Sequence, residues 1–182
     1  MPIRFFRAMS WFALSAVFPL AAAYAADPIR IAFIEPLSGP FSNVSLVGFR
    51  QFQAEVDAVN ARGGALGRNF EVVGFDNKSS AQEATIQLQA ALDQGIRFIA
   101  QSSGSNVAHA LNDAIAKHNA RNPDRAVLFL NMGSLDPTLT SDKCQFWMFR
   151  FAPHGQMMLA AFAETLARDA AVKRVYLMNQ DY

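Results

Sequence analysis

Apolar residues along this chain alternate between short runs and longer stretches with three- or four-residue spacing, and the alternation predicts strands and helices in turn. Ile29 to Ile34 is an apolar run with β-branched residues, the signature of a strand covered on both faces. Leu46 to Ala61 carries Phe49, Phe52, Val56 and Val59 at helical spacing, with Arg50, Glu55 and Asp57 between them, and Arg62-Gly63-Gly64 marks the helix end. Phe70 to Phe75 reads as a second strand. Asp76 to Ser79 is the turn and cap of a second helix that runs through Leu88 and Leu92 and stops at Gly95. Arg97 to Gln101 predicts a third strand, Asn106 to His118 a third helix with Val107, Leu111 and Ile115 on one face, and Ala126 to Asn131 a fourth strand. Four β-α units in series imply an α/β fold with a doubly wound parallel sheet, because right-handed crossovers are the common way to connect them.

Beyond Asn131 the rhythm breaks. Met132 to Phe146 has turn residues and little periodicity, which predicts a long loop of the kind reserved for function. Phe146 to Phe151 reads as extended, Gly155 to Asp169 as a fourth helix on Met158, Phe162 and Leu166, and Arg174 to Met178 as a further strand. A buried-type strand with no helix after it predicts that these residues are the front part of a longer protein.

The first residues change the picture of where the protein works. Arg4 and Arg7 precede an almost wholly apolar stretch from Met9 to Ala23, and Ala23-Tyr24-Ala25 is a small-x-small cleavage site, so residues 1–26 read as a cleaved secretion signal. The stretch is interrupted and too short for a good membrane span. Its removal leaves 14 basic and 15 acidic residues of the original 16 and 15, a near-neutral balance that gives no reason to expect nucleic acid or anionic lipid as a partner. Cys144 is the single cysteine and cannot form an internal disulfide; it reads as a small core or loop residue.

Candidate chemistry concentrates where strands end. In an open parallel sheet ligands sit beyond the carboxyl ends of the strands, near helix N-termini, and three loops leave such ends: Pro36 to Ser45, Ser102 to Asn106, and Met132 to Thr138. In the second, Ser102, Ser103 and Ser105 supply hydroxyls, Gly104 allows close backbone approach, and the start of the third helix favours an anion. The same serines would cap a helix in any protein. Gly63, Gly64 and Gly67 follow a helix and precede a strand, the reverse of a dinucleotide loop. Ser103-Gly104-Ser105 lacks the flanking glycines of a nucleophile elbow. His109, His118 and His154 have no metal-ligand spacing and read as solvated helix faces, while Lys117, Arg121 and Arg125 suit a helix C-terminus. No catalytic pair, metal set or cofactor motif stands out.

Several of these segments together resemble a known family. The secretion signal, Ile31 to Phe41 with its Glu35-Pro36-Leu37-Ser38-Gly39-Pro40-Phe41 turn, the helix ending Asn60 to Arg68, Asp76-Asn77 with Ser80 to Ala84, Ser102 to Ser105, Asp136 to Thr140, Phe149-Arg150 and Val175 to Leu177 with Asp181-Tyr182 are similar to the periplasmic leucine/isoleucine/valine-binding proteins of ABC importers. The resemblance implies a type I bilobed receptor: a signal at 1–26, an amino-terminal lobe at 27–148, and a crossover with the incomplete start of a second lobe at 149–182. It implies a monomer in the periplasm that binds an amino acid or amide by its carboxylate and delivers it to a membrane permease, with no catalysis. The implied ligand residues are Ser102, Ser103 and Gly104, then Gly133, Ser134 and Leu135, with Phe41 as an aromatic wall and Tyr182 closing from the second lobe. Leu135 stands where the family commonly has threonine, and an apolar side chain cannot accept a bond from an ammonium group. An exported ligand-sensing or enzymatic domain on the same fold is the alternative, because fold alone does not determine function.

Overall fold

A computed structural model describes residues 27–178; the expected signal peptide and Tyr182 lie outside the described residues. Five strands, β1 (Ile29–Glu35), β2 (Phe70–Asp76), β3 (Phe98–Gln101), β4 (Leu128–Asn131) and β5 (Met148–Arg150), form one sheet in the order β2-β1-β3-β4-β5. Every neighbouring pair is parallel. Four helices, α1 (Ser42–Asn60), α2 (Ala81–Asp93), α3 (Ser105–Arg121) and α4 (Gly155–Arg168), connect or follow them. The doubly wound parallel α/β sheet expected from the sequence is therefore present.

Strand geometry sends alternate side chains to opposite faces, and β1 shows how the layers arise. Ala32 and Ile34 pack with Leu88 of α2 and Leu111 and Ile115 of α3, whereas Ile31 and Phe33 face Phe49 and Phe52 of α1. Phe33 lies 5.4 Å from Phe49 and 5.7 Å from Phe52 between ring centroids, both pairs tilted. Those separations are favourable for aromatic pairs. One helix thus covers one face of the sheet and two cover the other.

Two asparagines lock helices to the strands that follow them. Asn60, the last residue of α1, donates to the Phe70 carbonyl at 2.8 Å and accepts from the Phe70 N–H at 2.7 Å. Asn119, near the end of α3, does the same for Val127, at 2.9 and 2.8 Å. Each amide acts as a strand neighbour at a place where no strand is available.

Three expectations need correction. Helix α1 begins at Ser42 rather than Leu46, because apolar spacing registers only buried apolar residues and in the first turn, Ser42 to Ser45, Val44 is exposed and the buried residue is the polar Ser45. Residues 174–178 form no strand: among the described residues no neighbouring strand pairs with them, and Leu177 and Met178 are exposed. The 132–146 loop is less free than its composition suggests, since a 3-10 turn at Pro137–Thr140 inserts Leu139, fully buried, into the core. Cys144 is exposed in that loop, so of its two expected settings the loop holds. No helix among the described residues is long and apolar enough to cross a membrane.

Replacing Asn119 by leucine keeps the branching at Cγ but orphans the buried N–H and carbonyl of Val127. Unfolding free energy from urea titration should fall by about 2 to 4 kcal/mol.

Candidate functional site

Strand order places a topological switch at β1. The chain leaves its carboxyl end toward β2 on one side, while β3, β4 and β5 lie on the other, and a crevice opens beyond the ends of β1 and β3. A cleft of about 620 Å³ occupies that crevice. Pro36 forms part of its lining, Phe41 and Val44 stand on the α1 side, Ser103 to Val107 on the α3 side, and Ser79 reaches in from the β2–α2 turn.

Helix capping distinguishes the two walls from the rest of the molecule. Helix α2 is capped by Ser80, whose hydroxyl accepts from the Glu83 N–H at 3.3 Å, and α4 by His154, whose Nδ1 accepts from the Met157 N–H at 3.3 Å. Helices α1 and α3, with Phe41 and Gly104 at their N-cap positions, have no side-chain cap and no acidic residue in the first turn. Both N-termini flank the cleft, so uncapped N–H groups and two helix dipoles meet there. Gly104 has φ of +85°, a backbone conformation that glycine adopts without steric cost.

Beneath the α3 wall lies a network rooted in strand ends. The Glu35 carboxylate, buried at the end of β1, accepts through Oε1 from the Ser102 N–H and, at 2.9 Å, from the Ser103 N–H. Burial pushes the Glu35 carboxyl above the usual carboxylate range, and hydrogen bonds from Ser102, Ser103 and Ser45 only partly oppose this. Gln101, fully buried at the end of β3, donates to the carbonyls of Ser103 and Gly104 and accepts from the Ser134 hydroxyl at 2.9 Å. The Asp76 carboxyl holds the first loop, taking the N–H groups of Leu37, Ser38 and Lys78 at 2.9, 3.3 and 3.0 Å.

The sequence-derived residues separate into two groups in space. Phe41, Ser103 and Gly104 line the cleft. Ser102, by contrast, has its N–H committed to Glu35. Gly133, Ser134 and Leu135 are not among the lining residues. Gly133 packs so closely that a Cβ would lie 2.5 Å from the Ser102 hydroxyl, and Ser134, 2 % exposed, turns its hydroxyl inward to Gln101. Leu135 is exposed beside this brace, its carbonyl accepting from the Gly155 N–H at 2.8 Å.

Sequence reading missed Glu35, Gln101, Val44 and Ser79. Ser79 carried a signal, since the β2–α2 turn is also a strand-end loop adjoining the switch. Glu35 carried a weaker one: a charged residue continuing the inward alternation of Ile31 and Phe33.

Histidines expected on solvated faces are engaged. His154 caps α4, His118 approaches the Arg125 carbonyl at 3.3 Å, and His109 lies 2.9 Å from Asp136. Hydrogen bonds from His109 and Thr138 hold the Asp136 carboxyl down at about 2. Arg150 of β5 donates to the carbonyls of Ser134 and Asp136, completing the clamp on this loop. A second groove, about 570 Å³, runs between α2 and α3 at the opposite end of the sheet, where Lys117, His118 and Arg121 meet helix C-termini. The Arg121 guanidinium, in the last turn of α3, complements the helix dipole. Among the described residues no group of three or more His, Cys, Asp or Glu could hold a metal ion.

Comparison with known proteins adds an independent line. Residues 28–182 match the family described as periplasmic binding protein. The chain is 32% identical over 164 residues to Leu/Ile/Val-binding protein homolog 4 of Brucella abortus, covering 89% of this chain and 39% of that one. A leucine-, isoleucine-, valine-, threonine- and alanine-binding protein from Brucella ovis, solved in a closed conformation, superposes with a TM-score of 0.71 at 30% identity over 77% of this chain and 37% of its own. An ABC transporter substrate-binding protein from Desulfitobacterium hafniense in complex with Leu shares the fold, with a TM-score of 0.64 at 21% identity over 78% of this chain and 38% of its own. The chain thus spans about two fifths of the length of the relatives it matches, and its sheet corresponds to one lobe of a type I periplasmic binding protein.

The Asp136 clamp has a pH signature. A carboxyl held below its ordinary value stabilises the fold above about pH 4, and that contribution disappears as pH falls through about 2. Its side chain is about one-third exposed, so solvent screening limits the effect. Between pH 5 and pH 2 the unmodified protein should lose about 1 kcal/mol more stability than Asp136→Asn, measured by denaturant titration.

Proposed function

The chain belongs to the periplasmic binding protein family, and we propose that it is the amino-terminal lobe of an exported receptor that captures an aliphatic or related amino acid for an ABC importer. Convergence of two uncapped helix N-termini on one cleft carries this reading. An anionic group placed there gains unpaired N–H donors and two favourable dipoles without needing a cationic side chain. Phe41 and Val44, 47% and 72% exposed, give the same cleft an apolar wall. A carboxylate attached to a small apolar body fits both requirements.

Each residue then has a distinct task. Ser103 and Gly104 meet the ligand carboxylate with a hydroxyl and the backbone of the α3 start, and Phe41 packs on its apolar part. Ser102, Gly133 and Ser134 hold that backbone in place from behind. Leu135 presents an apolar surface at the rim, and Tyr182 belongs to the opposing jaw. Residues 27–148 make up one lobe, to whose sheet β5 adds Phe149 and Arg150 as the chain crosses over, and the residues beyond lead into a second lobe, which closes on the ligand; the closed state must bind ligand better than the open state for capture to occur. Docking on a membrane permease follows closure. The receptor acts as a monomer in the periplasm after loss of residues 1–26, and it binds without catalysing a reaction.

Calorimetric titration of the intact gene product with leucine, isoleucine, valine and phenylalanine tests this. At least one should bind with a Kd of about 1 μM or tighter, and Ser103→Ala should weaken it by about 1 to 3 kcal/mol. Absence of binding by all four would overturn the amino-acid assignment. Unchanged affinity in Ser103→Ala would place the carboxylate elsewhere.

A further inference from the structure

Glu35 is a carboxylate where an amino-acid site needs donors. It is 1% exposed, and among the described residues no cation pairs with it. Its contacts come from two elements: the β3–α3 loop gives the Ser102 and Ser103 N–H groups to Oε1, and α1 gives the Ser45 hydroxyl to Oε2 at 3.4 Å. Strand β2 brings Asp76 into register with Glu35, but the Asp76 Oδ1 is occupied by the N–H groups of Leu37, Ser38 and Lys78. The Lys78 ammonium points to Glu83 at 4.0 Å.

This arrangement uses donors that a ligand carboxylate could otherwise take. Ser103 has its N–H on Glu35 and also lines the cleft, so only one residue separates the buried carboxylate from the ligand cavity. We propose that Glu35 is a built-in anion of the cleft: it claims the Ser102 and Ser103 N–H groups, confines an incoming carboxylate to the Ser103 hydroxyl and to backbone donors from Gly104 onward, and weakens that ligand once it ionises. The inference rests on the amino-acid reading of the cleft.

Two consequences follow from ordinary electrostatics. As a positioning residue, Glu35 ties the end of β1 to the first turn of α1 and to the start of the α3 wall, three parts of the site at once. As a charge, it repels a second carboxylate across a poorly solvated gap. Ligand binding therefore favours the neutral form of Glu35 and takes up a proton wherever the free protein holds it ionised. Burial raises the Glu35 carboxyl above its ordinary value, which moves this exchange toward neutral pH. Glutamine at this position accepts the same two N–H groups but never ionises, whereas alanine leaves both unpaired.

The test is leucine affinity of the intact gene product, measured by calorimetry from about pH 5 to pH 8 for the unmodified protein, Glu35→Gln and Glu35→Ala. The unmodified protein should weaken about tenfold with rising pH. Glu35→Gln should stay near the low-pH affinity throughout, and Glu35→Ala, which has no carboxyl to ionise, should likewise lose the pH dependence. Titration of the unmodified protein in buffers of different ionisation enthalpy should show proton uptake on binding, a readout that holds even if a variant does not fold. Binding that is independent of pH with no proton uptake, or a pH profile unchanged in Glu35→Gln, would overturn the role of Glu35 while leaving the amino-acid reading intact. Failure of leucine, isoleucine, valine and phenylalanine to bind at any pH would overturn both.

Discussion

Pairing of β1 with β2 on one side and β3 on the other is the constraint from which the site follows. Parallel strands need crossovers, and crossovers that depart in opposite directions from one strand cannot close over its end. The gap must be lined by whatever follows β1 and β3, here the first turns of α1 and α3. Side-chain chemistry then decides what the gap is suited to hold. Because neither helix carries a cap, the crevice presents backbone donors, and because Phe41 and Val44 stand opposite Ser103 and Ser105, it has an apolar wall facing a polar one.

Stiffness in this site comes from side chains at strand ends bonding to loop backbone. Glu35 ends β1, Gln101 ends β3, Asn131 ends β4 and Arg150 ends β5. Their partners are, for Glu35, the backbone of Ser102 and Ser103; for Gln101, that of Ser103 and Gly104; for Asn131, that of Ser134; and for Arg150, that of Ser134 and Asp136. The sheet thereby reaches past its own last hydrogen bonds and fixes loops that carry little regular structure. Gly133 belongs to the same scheme, since its missing side chain lets the β4–β5 loop lie against Ser102. Ser134, expected from the resemblance as a ligand contact, also braces this loop through Gln101 and Asn131.

How far the sequence reveals this depends on the range of the interaction. Elements made by local periodicity, such as the Phe49 and Phe52 face of α1 or the Val107, Leu111 and Ile115 face of α3, are legible because each residue's environment is set by near neighbours. The cleft was partly legible: the strand-end rule finds Ser103 and Gly104 through the turn chemistry around them. The same rule extends to Ser79, since the β2–α2 turn is also a strand-end loop, but that turn reads first as an ordinary helix cap. Glu35 was illegible as a structural anchor, because its partners lie 67 and 68 residues along the chain. Residues 174–178 mislead in the other direction, since strand-forming composition does not make a strand without a neighbour.

The central physical claim is that a ligand's negative end rests on the uncapped starts of α1 and α3. Backbone amide chemical shifts of the isotope-labelled intact gene product, followed as leucine is added, test it directly. The largest perturbations should fall on Gly104, Ser105 and Asn106, with smaller ones at Asn43 and Val44. Perturbations concentrated instead at Lys117, Arg121 and Asn122, at the far end of the sheet, would contradict it.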